Sequence, residues 1–169
     1  MIQTLWTGLS EIYRLGAFMI LLWLPFLVLV FDRITKMAVI SRMVEGESIP
    51  VINGIFHLTY VLNPGAAFGM LPHSRTFFLG IGLAVVVAIW WLRAEILSEG
   101  WMIRTGTALF LGGTLGNLWD RAQTGLVIDF FDFRVWPVFN VADIAICAGA
   151  GLILWGMMNN GYWENDRRR

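Results

Sequence analysis

Charge is what this chain has least of. Asp, Glu, Lys and Arg make up only 14% of its 169 residues, and 12 acids against 12 bases leave a formal net charge of zero. No basic footprint for a polyanion exists, which speaks against a nucleic-acid partner. Cysteine is nearly absent as well: Cys147 stands alone, so neither a disulfide framework nor a thiolate metal site can be assembled. The two histidines, His57 and His73, lack the helical spacing to acids that metal-dependent hydrolysis uses, and each reads as an interfacial polar residue. No internal repeat, low-complexity tract or domain boundary divides the sequence, so residues 1–169 read as a single domain.

What is present is apolar. Hydrophobic residues make up 57% of the chain, with 12 Phe and 9 Trp, more than a soluble domain of this length carries. Crossing about 30 Å of hydrocarbon takes roughly 20 residues. Four segments, Leu15–Phe31, Thr76–Leu92, Thr105–Trp119 and Ile144–Trp163, approach that length and with their flanks give spans of about 15–34, 74–93, 102–120 and 141–160. The expected fold class is an all-α integral membrane protein with four transmembrane helices and a small interfacial β-hairpin or sheet between the first two. The first span resembles a secretory signal in position, but no small-residue cleavage site follows it and it runs into Asp32-Arg33, so it reads as a retained helix. The third is short, which draws the adjacent Asp120 and Arg121 to the interface, where they are expected to neutralise each other.

Four crossings place both termini on one side. Asp32 at the end of the first span, Asn63 before the second, Asp120 at the end of the third and Asp143 at the start of the fourth then share one membrane face. Lys and Arg divide evenly between the faces. The Arg167–Arg169 tail and the short second-to-third connection favour the terminal side as cytoplasmic. Between the first two spans, Asn53-Gly54 separates two β-rich runs, a hairpin signal because a type I′ turn needs positive φ at both central positions. In the second run Phe56, Leu58, Tyr60 and Leu62 share one face, and His57, Thr59 and Val61 the other. An interfacial sheet with its apolar face to lipid or substrate suits this alternation; so does an ordinary surface hairpin. The small-residue loop at positions 63 to 69 follows, where Asn63 offers both donor and acceptor.

Ionisable groups close to hydrocarbon cost several kcal/mol unless they are paired or lie in a wet cavity. Gly112, Gly113 and Gly116 favour close helix packing in the third span, and Asn117 beside them should point inward. Asp129 is carried on the apolar run 127–131. Asn140 is a natural N-cap for the fourth span, with Asp143 in its first turn. Taken alone, Asp143 answers the helix dipole and Asp129 is a loop acid with a basic neighbour. Together, two carboxylates beside one cavity can share a proton, one activating water while the other polarises a carbonyl. Asp132, further along the same extended segment and on its opposite side, fits that pair less well.

FDRITK at 31–36, NPGAAFG at 63–69, GNLWDR at 116–121, VIDF at 127–130 and FNVAD at 139–143 stand in the order and spacing of the bacterial lipoprotein signal peptidases, signal peptidase II, which the chain resembles from the first span to the fourth. The resemblance implies a membrane aspartic endopeptidase, without cofactor or metal. It acts at the outer face of the plasma membrane on prolipoproteins already diacylglycerylated on the lipobox cysteine, and cuts just before that cysteine. It makes Asp129 and Asp143 the catalytic dyad. Asn63, Gly65, Asn117, Arg121, Asn140 and Ala142 then line or brace the pocket, and Asp32 and Lys36 hold the end of the first helix. The 37–62 region would be an interfacial element cradling the lipidated substrate among membrane lipids, and nothing demands more than a monomer. Arg33, where the family often has Gln, adds positive charge near the headgroups. A proton-coupled transporter or channel subunit would also bury acids, but a relay would spread them through the membrane, whereas these cluster at one end.

Overall fold

The structure, a computed structural model, describes residues 2–65 and 74–159, with backbone alone for residues 2–14. Residues 66–69 of the small-residue loop, His73 and the Arg167–Arg169 tail lie outside the described residues. The elements run α1 (Ile2–Arg42), β1 (Ser48–Ile52), β2 (Phe56–Asn63), α2 (Arg75–Trp91), α3 (Arg93–Ser98), α4 (Trp101–Gln123), β3 (Val127–Asp132) and α5 (Val141–Asn159). Among the described residues, two helices are long and apolar enough to cross a membrane: α1 from Leu15 onward, and α5. At about 1.5 Å per residue, the 17 residues of α2 reach ~26 Å and the 23 of α4 reach ~35 Å, the latter with a more polar composition. The helix α1 runs well past the expected end near residue 34, because Arg33 and Lys36 find partners on α4 and Val39 and Met43 are covered by the sheet.

The helix α4 is the centre of the bundle, packed on α1, α2 and α5. Its glycines explain how. A Cβ at Gly112 would stand 2.9 Å from the Pro25 carbonyl oxygen of α1, and one at Gly113 would stand 3.1 Å from the Ile146 nitrogen of α5. Small residues on two sides of one helix let both neighbours approach at backbone distance.

The hairpin expected between the first two spans is part of something larger. A third strand arrives from beyond α4, giving an antiparallel sheet of order β1-β2-β3, with Val61 opposite Asp129 and Asn63 opposite Val127. Its turn is not type I′: Ile52 pairs with Phe56 across a three-residue loop in which Gly54 has a φ of 73° and Asn53 is not in the positive-φ region. Leu58, Tyr60 and Leu62 pack with Ile128 and Phe130 against Val39 and Met43, so α1 covers the apolar face that sequence alternation assigned to lipid or substrate. On the other face Thr59 donates to Asp132 at 2.7 Å, and Arg134 pairs with the same carboxylate at 2.8 Å.

Candidate active site

The site rests on a buried cluster of charge. Asp32 and Lys36 lie one turn apart on α1, both without solvent exposure. The Lys36 ammonium meets Asp32 Oδ2 at 2.8 Å and Asp120 Oδ2 at 2.8 Å, and donates to Asn117 Oδ1 at 3.2 Å, so its three protons have three acceptors. Asp120 also pairs with Arg33, and Asp32 Oδ1 accepts the Ala142 amide at 3.1 Å, satisfying a free N–H at the start of α5. Two acids and two bases cancel, which is what makes their burial tolerable. The expected Asp120–Arg121 pairing is therefore corrected. Neighbours on an α-helix point about 100° apart. Asp120 turns to α1, while Arg121 donates to the Gly65 carbonyl at 2.9 Å and lays its guanidinium over Phe78.

Asparagines carry this scaffold to the two acids. Asn140 Oδ1 accepts the Asp143 amide at 2.9 Å while Asp143 Oδ2 accepts the Asn140 amide at 3.1 Å, a reciprocal cap on α5. With that oxygen committed to a donor, Asn140 Nδ2 must face acceptors, among them Asp129 Oδ1 at 2.7 Å and Asn117 Oδ1 at 3.1 Å. Asn117 Oδ1 thus receives both Lys36 and Asn140, which turns its Nδ2 to Asp143 Oδ1 at 2.7 Å. Asn63 Nδ2 donates to Asp129 Oδ2 at 2.9 Å, and Asn63 Oδ1 accepts the Gly65 amide at 2.9 Å. Every carboxylate oxygen of Asp129 and Asp143 has a donor, and one residue, Asn140, holds both acids.

Asp129 faces this network because its strand neighbours Ile128 and Phe130 are taken by the hydrophobic cluster. It is 2% exposed, and burial, together with the charge of Asp143, pushes its carboxyl up to about 7 against the opposing hydrogen bonds from Asn63 and Asn140. The two acids line one cavity of about 670 Å³, with Asn63, Gly65, Asn117 and Arg121 at its polar end. Its remaining wall is apolar, from Trp136 to Phe139 before α5 and from Ile144 and Cys147 within it.

The eleven residues singled out in the sequence form one connected network, though not all touch the cavity. Asn140 and Ala142 stand behind its wall, and Ala142 acts through its amide and its lack of bulk, a Cβ at Gly116 being 3.1 Å from it. Asp132 lies outside the cavity lining and is engaged by Thr59 and Arg134. Sequence reasoning missed three contributions: Arg33 as partner of Asp120, the 136–139 rim, and Cys147 as cavity wall. The Val-Trp-Pro run before FNVAD was the available signal for the rim.

The family model for signal peptidase (SPase) II matches residues 24–159. The lipoprotein signal peptidase of Pelotomaculum thermopropionicum is 44% identical over 84% of this chain and 93% of its own length, and that of Alteromonas mediterranea is 43% identical over 83% and 81%. A solved structure described as a bacterial membrane enzyme obtained by the in meso method at 2.3 Å resolution superposes with a TM-score of 0.76 at 29% identity, covering 83% of this chain and 88% of the other. A second so described, at 1.9 Å, gives 0.72 at 30% identity over 81% and 91%. The chain belongs to the signal peptidase II family of peptidases.

Proposed function

We propose that this peptidase removes the signal peptide from diacylglyceryl-modified prolipoproteins by aspartic chemistry, with Asp129 and Asp143 as the dyad. The observation that carries this reading is Asn140, which bonds both acids at the edge of one cavity. Burial and the neighbouring acid favour the protonated form of Asp129, while Asp143 sits at the amino end of α5, where the helix dipole favours negative charge. Arg121, at the same cavity, offsets the one negative charge the pair then carries. Asp143 takes a proton from water as the water oxygen adds to the carbonyl carbon before the lipidated cysteine, and Asp129 protonates the carbonyl oxygen. In the resulting diol the C–N bond breaks. The amine leaves with the proton held by Asp143, and a diol hydroxyl returns its proton to Asp129 as the acid re-forms its carbonyl.

Four crossings by α1, α2, α4 and α5 in one membrane-embedded domain, with the site at the outer face of the plasma membrane and both termini cytoplasmic, fit this activity. The meeting of Asp32, Asn63, Asp120 and Asp143 at one end of the bundle supports that topology, and a monomer suffices. Purified protein incubated with a diacylglyceryl-modified precursor and with its unmodified counterpart tests the reading. Cleavage of the modified precursor alone is expected; equal cleavage of both, or of neither, would contradict it.

A further inference from the structure

A second cavity meets the first at Asn117, Arg121 and Ile146. It measures about 200 Å³ and follows the seam between α2 and α4, walled by Phe78, Ile81, Val85, Phe110 and Leu118. From Arg121 to Phe110 the seam follows about three turns of α4, on the order of 16 Å. Its one hydroxyl below the mouth, that of Thr114, donates back to the Phe110 carbonyl at 2.7 Å and leaves a methyl group for the wall. The helix α2 packs on α4 without extensive packing on α5, so the seam opens along the side of the bundle.

We propose that this seam holds one acyl chain of the lipid-modified substrate, an inference that rests on the activity proposed above. Size excludes the signal peptide as occupant. An α-helix about 10 Å across fills roughly 80 Å³ per Å of length, so the seam would take less than one turn of it, whereas a chain one methylene wide can lie along it. Continuity with the catalytic cavity supplies the second reason. The peptide bond to be cut and the acyl chains are joined through the same cysteine, so a chain entering at Arg121 leaves that bond beside Asp129 and Asp143.

The test compares kcat/KM for dipalmitoyl and dioctanoyl forms of one precursor. Val85→Trp fills the seam and is expected to reduce the palmitoyl-to-octanoyl preference about tenfold, the worth of roughly two buried methylenes. Val87→Trp, at a position 54% exposed and outside the seam, should keep the wild-type preference. Phe110→Ala lengthens the seam and should raise the preference, and it decides the matter alone should Val85→Trp not fold. Wild-type ratios in both Val85→Trp and Phe110→Ala would mean that a bystander bilayer lipid fills the seam, overturning this inference alone. A wild type that cleaves neither precursor would overturn the activity and the seam with it.

Discussion

Asn140 is the residue on which the geometry of both acids depends, and it touches them from behind the cavity rather than within it. Asn140→Ala removes the donor to Asp129 and the cap on α5 together. Cleavage is expected to fall about 100-fold in kcat, with KM little changed, since small misplacements of reacting groups cost that much; a raised KM with intact kcat in steady-state assays would place Asn140 in substrate binding instead. Asp129 sets the pH response. Its carboxyl is raised from the ordinary 3.8 to about 7, so between those values the folded protein binds a proton that the unfolded chain does not. Stability from this group is fully present below the unfolded value and is lost as pH rises through about 7. Activity should fall over the same upper limit, as the proton needed by the carbonyl oxygen leaves. A kcat/KM profile still rising above pH 8 would refute this, as would a stability-versus-pH slope in detergent that Asp129→Asn leaves unchanged.

The helix ends and strands explain what the sequence made legible and what it did not. Polar residues beside apolar spans announce themselves, because Asp32, Asn117 and Asp143 have no tolerable place except a shared one, and that logic located the network. It did not locate the partners. Asp120 and Arg121 are adjacent in sequence yet about 100° apart around the helix, and the cations that answer Asp120 come from α1: Arg33, 87 positions away, and Lys36. The third strand was hidden for a similar reason: residues 127–132 pair with residues 57–63 across α2 and α4, and nothing local to either run specifies that pairing. Two predictions follow from these contacts. Asp120→Asn leaves the buried Lys36 and the partly exposed Arg33 facing one acid and should lower stability by about 3 kcal/mol, read as a reduced Tm in detergent, with an unchanged Tm counting against the cluster. Gly113→Leu drives a side chain into the backbone of α5 and should abolish folding into a monodisperse species; a well-folded, active variant would contradict the packing of α4 on α5.

The bundle as a membrane object makes its own commitment. The sheet and the acids lie at one end of the helices, and α3 connects α2 to α4 at the other. In a Cys147→Ala background, a cysteine at Asn53 should react with an impermeant thiol reagent from outside the cell and one at Glu95 should not; the opposite pattern would reverse the topology, and labelling of both would contradict their placement on opposite faces. Everything the fold arranges, from the neutral ion cluster to the capped start of α5, serves the claim that Asp129 and Asp143 work as one unit. The measurement that tests it is cleavage of a diacylglyceryl-modified precursor by purified Asp129→Asn and Asp143→Asn proteins, each shown to be folded. Both are expected to be inactive against a cleaving wild type. Near-normal turnover by either one would remove that aspartate from the reaction.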